Sequence, residues 1–264
     1  AVLAGRQYTP AFETTAAYDI MGTQSGLAAG QIVAFPAVLE IRASNTISYR
    51  IVQDGISAAL MYGMGETAGD SDKSRFLGFN ANYKTDVFSV GFGYNTKNNE
   101  LGQKSLTTSV LGASMNMGTT STVSTFVAKI TDDNPNGLSA IAPALTPQIG
   151  AGAAGLVQNA FINAFKQDGT LFHIGYRYMT GPSTISVAYN QYNDNRPSDA
   201  DVKSYGVAYS YALSKRTDLN AVVVRYDNGS RGQVAPGGNG YLGGVTASAG
   251  TNSTGLALGV LHRF

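Results

Sequence analysis

The feature that most constrains this 264-residue chain is an alternation of apolar with small or polar side chains, which runs from Asn45 onward in segments of roughly ten residues. Ile47, Tyr49 and Ile51 stand against Thr46, Ser48 and Arg50, and Leu77, Phe79, Ala81 and Tyr83 against Asn80, Asn82 and Lys84. Phe88, Val90, Phe92 and Tyr94 oppose Ser89, Gly91, Gly93 and Asn95. Later, Phe172, Ile174, Tyr176 and Tyr178 oppose His173, Gly175 and Arg177, and Tyr205, Val207, Tyr209 and Tyr211 oppose Ser204, Gly206, Ala208 and Ser210. A period of two belongs to extended chain, because successive strand side chains point to opposite faces. Stretches 105–117, 121–131 and 217–227 also look like strands, but apolar residues of both parities leave their facing open.

The connections sort the segments further. Asp54-Gly55, Thr85-Asp86, Gly118 to Thr120, Gly181-Pro182 and Ser214 to Arg216 are tight hairpin turns. They alternate with longer links at 8–43, 67–73, 97–103, 133–168, 194–201 and 229–252, which gives twelve strand segments, including a short first one at 1–8 and a last one at 253–264. A soluble β-sandwich is the competing reading, but it would show no strict rule of short and long ends. A transmembrane barrel has that rule, with short periplasmic turns and long extracellular loops. In hydrocarbon every backbone amide must be paired, so a sheet crosses only as a closed barrel with its apolar face to lipid. The fold class expected is therefore all-β, a transmembrane antiparallel β-barrel. Leu60, Phe92, Tyr176 and Tyr209 are expected toward lipid, and Arg50, Asn82, Lys84, Gly93, Arg177 and Ser210 toward a lumen.

Composition fits. Charged residues make 13% of the chain, about half the usual share of a soluble domain, yet mean hydropathy is only -0.06. With 18 basic and 17 acidic side chains and no basic block, there is no electrostatic footprint for nucleic acid. No window carries the apolar run of a membrane-spanning helix. Cysteine is absent, so disulfides and thiolate metal sites are excluded. The chain opens on AVLAGRQYTP without the regions of a secretion signal, so any signal is expected to have been removed already.

Several motifs invite other chemistry. Residues 150–155 spell Gly-Ala-Gly-Ala-Ala-Gly, a formal dinucleotide fingerprint, but Pro143 and Pro147 stand where a strand is required. An extracellular loop with a short helix over Leu156 to Phe165 is expected there. Asp194, Asp199 and Asp201 could hold a divalent cation, though a solvated loop suits them better. Only His173 and His262 could act as imidazole bases, and neither has a serine placed for a hydrolase. The sequons at Asn228 and Asn252 are read as accidental. No enzymatic activity, cofactor or metal is expected.

The last strand, LALGVLHRF, puts Leu256, Leu258, Val260, His262 and Phe264 on one face and ends on an aromatic. Together with Gly5-Arg6-Gln7-Tyr8-Thr9-Pro10, Ala17-Tyr18-Asp19, Asn45-Thr46-Ile47-Ser48-Tyr49 and Leu213-Ser214-Lys215-Arg216-Thr217-Asp218, it resembles the Gram-negative general porins from end to end. The resemblance implies a sixteen-stranded outer-membrane barrel, a homotrimer, and passive diffusion of small hydrophilic solutes and ions through a water-filled lumen. It also implies outer-membrane lipid and lipopolysaccharide as surroundings, and Phe264 as an assembly signal. The GRQYTP segment resembles the end of the family's fifth strand and 8–43 its inward-folding constriction loop, so the family's first four strands are expected to be missing from this sequence.

By the same resemblance Arg6 and Arg42 match the basic cluster facing that loop. Arg42 also shares the parity of Thr46, Ser48 and Arg50, which turns it toward the lumen. Glu13, Asp19 and Glu40 are the carboxylates available for the acidic side, and a modest anion preference is expected. The rival functions are an autotransporter translocator, which would carry a helix before the first strand, and a surface adhesin or receptor barrel, which would conduct no ions.

Overall fold

Residues 1–23, 25–32, 40–65, 67, 69–237 and 243–264 are described by the structure, a computed structural model; parts of the links 8–43, 67–73 and 229–252 lie outside them. Twelve strands form one antiparallel sheet in which each lies beside its neighbour in sequence. They are β1 (Val2–Tyr8), β2 (Arg42–Gln53), β3 (Ile56–Gly63), β4 (Phe76–Lys84), β5 (Phe88–Asn98), β6 (Lys104–Met117), β7 (Ser121–Asp132), β8 (Gln167–Thr180), β9 (Ser183–Asp194), β10 (Val202–Ser214), β11 (Thr217–Asn228) and, after two short strands, β14 (Ser253–His262). Those two, β12 (Val234–Ala235) and β13 (Gly244–Val245), pair only with each other. Among the described residues, three α-helices, α1 (Pro10–Tyr18), α2 (Ile141–Ile149) and α3 (Ala151–Phe165), and a 3-10 turn at Ala29–Ile32 lie in the long links. The order runs from β1 to β14, so these strands are the two edges of the sheet and the barrel is not closed.

The tight turns form where the sequence supplies residues that tolerate left-handed backbone. Asp54 (φ 51°) and Gly55 (φ 81°) make a two-residue loop that joins Gln53 directly opposite Ile56. Every short connection lies at one end of the sheet and every long link at the other, as in barrels with periplasmic turns and extracellular loops.

One face of the sheet is a continuous apolar surface on which Leu60, Phe92, Tyr176 and Tyr209 are exposed. Exposed apolar side chains in that number make this strand face a hydrocarbon-seeking surface; among the described residues no helix is long and apolar enough to cross a membrane. The opposite face carries Thr46, Ser48, Asn80, Asn82, Gly93 and Ser210, and α1 packs on it. It is called the inner face below.

The strands of ambiguous facing are now oriented. Val110 on β6, Phe126 and Ile130 on β7, and Val222 and Val224 on β11 are buried on the inner face, whereas Leu111, Val127 and Val223 are exposed on the outer one. Both faces are apolar there because the inner one is roofed by the chain that follows β1. One expectation shifts: helix α3 starts at Ala151 rather than Leu156. It follows α2, so the glycine run lacks the strand–turn–helix context of a nucleotide site, as Pro143 and Pro147 led one to expect.

Candidate functional site

The chain leaves β1 and turns onto the inner face at Thr9-Pro10. Thr9 caps α1 by accepting the Phe12 N–H (3.4 Å), and proline fills the first helical position, where its missing N–H costs nothing. The helix has only nine residues and buries six of them, so the wall holds it more than its own ladder does. Glycines make that wall close. A Cβ on Gly93 would stand 3.0 Å from the Ala11 Cα, one on Gly78 would stand 2.9 Å from the Pro10 ring, and one on Gly112 would enter the Tyr18 side chain.

Polar wall residues then grip the segment's backbone. Asn80 Nδ2 donates to the Pro10 carbonyl (3.2 Å), Asn95 Oδ1 accepts from the Ala11 N–H (3.1 Å), and Ser124 Oγ donates to the Tyr18 carbonyl (2.5 Å). His173 Nε2 accepts from the Ile20 N–H (3.0 Å), while Arg177 donates to the Ile20 carbonyl. Asn190 Nδ2 reaches the Leu27 carbonyl (3.1 Å) and Tyr226 Oη the Gly26 carbonyl (2.5 Å). Tyr18, Ile20, Leu27 and Ile32 pack with Val110, Phe126, Leu171, Tyr192, Val224 and Tyr226 into one core. The described residues of the segment 9–32 are thus bound to β4 through β11.

His173 is fully buried, between the Phe126 ring, stacked at 5.2 Å, and the segment. Because Nε2 accepts a backbone N–H, Nδ1 carries the proton and donates to Asn190 Oδ1 at 2.6 Å. It is a fastener for the chain. His262 is exposed, with Nδ1 3.0 Å from Thr217 Oγ1.

The carboxylates of the segment have protein partners. Glu13 pairs with Arg50 (2.7 Å) and lies 3.3 Å from Asn80 Nδ2. Glu40 pairs with Lys97 (3.0 Å). Asp19 is buried and accepts the Met21 and Ala29 N–H groups at 2.9 and 3.0 Å, with His173 Nε2 4.0 Å away, so it folds the segment. A cleft of about 520 Å³ beside α1 is lined by Glu13, Arg50, Asn80, Asn82, Lys84 and Ser89, among others. Lys84 makes no ion pair among the described residues.

Arg42 departs from its expected place. Asn45 takes φ 54°, and between Gly5 and Gln7 the register shifts by one residue on β2, so a bulge breaks the alternation on the N-terminal side of Thr46. Ala43 takes the inner position, packed with Met61 and Phe76, and Arg42 stacks 4.5 Å over the Tyr8 ring and donates to its hydroxyl (2.6 Å). Gln7, bonded to Thr46 Oγ1 (3.0 Å) and Ser48 Oγ (2.7 Å), occupies the inner face, so the exposed Arg6 lies on the other. The parity that turned Arg42 toward the lumen therefore fails at the bulge.

Phe264 is fully exposed beyond β14, with its ring edge-on to His262 at 4.9 Å. Asp194 accepts from Arg196, Ser198 and the Ala200 N–H, and Asp201 accepts from the Asp194 N–H; this is the wiring of a loop, and among the described residues no cluster of metal-binding side chains occurs. The wall fasteners were the functional side chains least visible in the sequence. Their signal was a fully buried-type polar residue, His173 or Asn190, inside an otherwise apolar and small inner row.

The profile of the Gram-negative porin family matches residues 1–231. Among solved structures, the anion-selective porin from Comamonas acidovorans superposes with a TM-score of 0.74 at 20% identity, covering 100% of this chain and 74% of that one. The outer-membrane OmpT of Vibrio cholerae gives 0.60 at 13% identity over 99% and 76% of the two chains. Its in-vitro folded trimer form gives 0.58 at 13% over 99% and 76%. No curated protein matches the chain.

Proposed function

Because the chain belongs to the Gram-negative porin family and is an outer-membrane channel protein, we propose that it is a single barrel domain in which the link 8–43 narrows the lumen and gives the passage a modest preference for anions. Small hydrophilic solutes and ions diffuse through passively; no bond is broken and no cofactor takes part. Charged groups in a narrow, low-dielectric passage favour counter-ions and exclude co-ions.

The observation that carries the preference is the state of the carboxylates. Glu13 and Glu40 are neutralised by Arg50 and Lys97, and Asp19 is buried on backbone N–H groups, while Lys84 faces the cleft without an ion pair among the described residues. Arg177 adds a second cation on the inner wall, bonded to a carbonyl. Arg6 and Arg42 lie on the outer face where the link leaves and re-enters the sheet, so the preference does not rest on them. The anion-selective character of the Comamonas acidovorans porin and the trimer form of the Vibrio cholerae protein agree with this reading and with a homotrimer surrounded by lipid and lipopolysaccharide.

The test is the zero-current potential of the full-length protein across a planar bilayer in a salt gradient. Lys84→Glu changes the local charge by two units and should move the potential toward cations, less so at high ionic strength because the field is screened. A potential that starts cation-selective, or that Lys84→Glu leaves unmoved, overturns the anion preference. Absence of conductance overturns the channel.

A further inference from the structure

The outer face is not uniformly convex. Across β8, β9 and β10 it holds a groove of about 520 Å³ walled by Ile174, Tyr176, Val187, Tyr189, Tyr205 and Val207. Its floor is a row of register partners, Gly175 opposite Ala188 and Ala188 opposite Gly206, where the pleat turns only small residues inward and leaves bare backbone outside.

The end of the groove nearest the long links is polar. Tyr189 Oη donates to Gln191 (2.8 Å), and Tyr205 Oη donates to Asp227 (3.1 Å). One row further on, Gln191, Lys203 and Asp227 are register partners. Arg225, opposite Tyr205, bonds Asp227 (3.0 Å) and Thr254 (3.1 Å). Lys203 is exposed and makes no ion pair among the described residues. Two cations against one carboxylate leave this rim positive, directly above an apolar slot.

We propose that the groove binds one acyl chain of a phosphorylated lipid of the outer leaflet, with Lys203, assisted by Arg225, holding the phosphate. The tyrosine hydroxyls set the depth: amphipathic rings sit at the headgroup boundary, so the chain lies below Tyr189 and Tyr205 and the charge lies at Lys203. A peptide occupant would bring backbone amides into hydrocarbon with no partner, and the slot offers none. The outer-membrane placement underlies this proposal; the ion preference does not.

The test is native mass spectrometry of the delipidated full-length protein with phosphatidylglycerol and with phosphatidylcholine of the same chains. Phosphatidylglycerol should be retained in preference, and Lys203→Gln should lower that preference about fivefold, the effect of one basic residue near an anionic lipid surface. Val187→Trp, which fills the slot from the outside, should lower retention of both lipids. Equal retention of the two lipids by the wild-type protein, or a preference that survives Lys203→Gln, overturns the proposal. So does a change in oligomeric state in Val187→Trp with lipid retention intact, which would assign the groove to a second copy. Conductance of the wild-type protein, recorded separately, tests the channel whatever the lipid result.

Discussion

His173 is the fastener whose removal has the largest calculable effect. In His173→Leu the buried Ile20 N–H loses its acceptor and Asn190 Oδ1 loses its donor. Each unsatisfied buried group costs about 1 to 3 kcal/mol, so docking of the segment weakens by about 2 to 6 kcal/mol. At roughly 1.4 kcal/mol per tenfold, the undocked population rises by a factor between about 30 and about 10⁴. The β8 backbone ladder does not use the imidazole, so the barrel itself should persist, visible as heat-modifiable migration in electrophoresis. Single-channel recording of the full-length protein should show larger or unsteady conductance, and hydrogen exchange at the Ile20 amide should accelerate. His173→Gln, whose amide can both accept and donate, should recover part of the effect. Wild-type conductance together with wild-type protection of Ile20 in His173→Leu would refute the reasoning.

A methyl group at Gly112 should act at the same place by overpacking: Gly112→Ala runs into the buried Tyr18 side chain and should cost about 1 to 3 kcal/mol of docking, read as a rise in conductance. In the link after β5, burial would raise the Glu100 carboxyl, but the Gly137 N–H and the Ser139 hydroxyl and N–H outweigh it and hold it at about 2. Its folded value is depressed, so its stabilisation of the 133–140 link is complete above the ordinary value of 4.5 and is lost as pH falls toward 2. Proteolysis of that link should rise over this window in the wild type and be fast already at pH 7 in Glu100→Gln; equal rates at pH 7 would contradict it. Deleting Phe264 from the full-length protein should reduce insertion into the outer membrane, measured as the amount of heat-modifiable barrel, and undiminished levels would show that it is no assembly signal.

How much of this was legible in the sequence depended on what each face touches. Facing was plain where the inner row is small or polar, as in Phe88 to Tyr94, whose Gly91 and Gly93 make room for α1. It was lost in β6, β7 and β11 because Val110, Phe126 and Val224 meet the folded-in segment with apolar side chains. Helix α1 had a start signal in Thr9-Pro10, but its nine residues are held by Gly78, Gly93 and Gly112 and by Asn80 and Asn95, all more than 60 residues away in sequence. Arg42 went astray because one residue in the left-handed region, Asn45, reverses parity for everything before it. Asparagine tolerates that region, yet its position in the ladder is fixed by β1, which the sequence of β2 does not contain. The carboxylates Glu13 and Glu40 were found as residues, but their pairing with Arg50 and Lys97 required the fold.

The central claim is that the two faces of one sheet meet different solvents, water within and lipid without. The chain has no cysteine, so single cysteines at the adjacent positions Tyr209 and Ser210 are the only thiols within it and report on each face. In liposomes containing the full-length protein, Ser210→Cys should react with a charged, membrane-impermeant thiol reagent and lose conductance as it does. Tyr209→Cys, one residue away, should stay unmodified until detergent is added. Modification of Tyr209→Cys with Ser210→Cys protected would contradict the account.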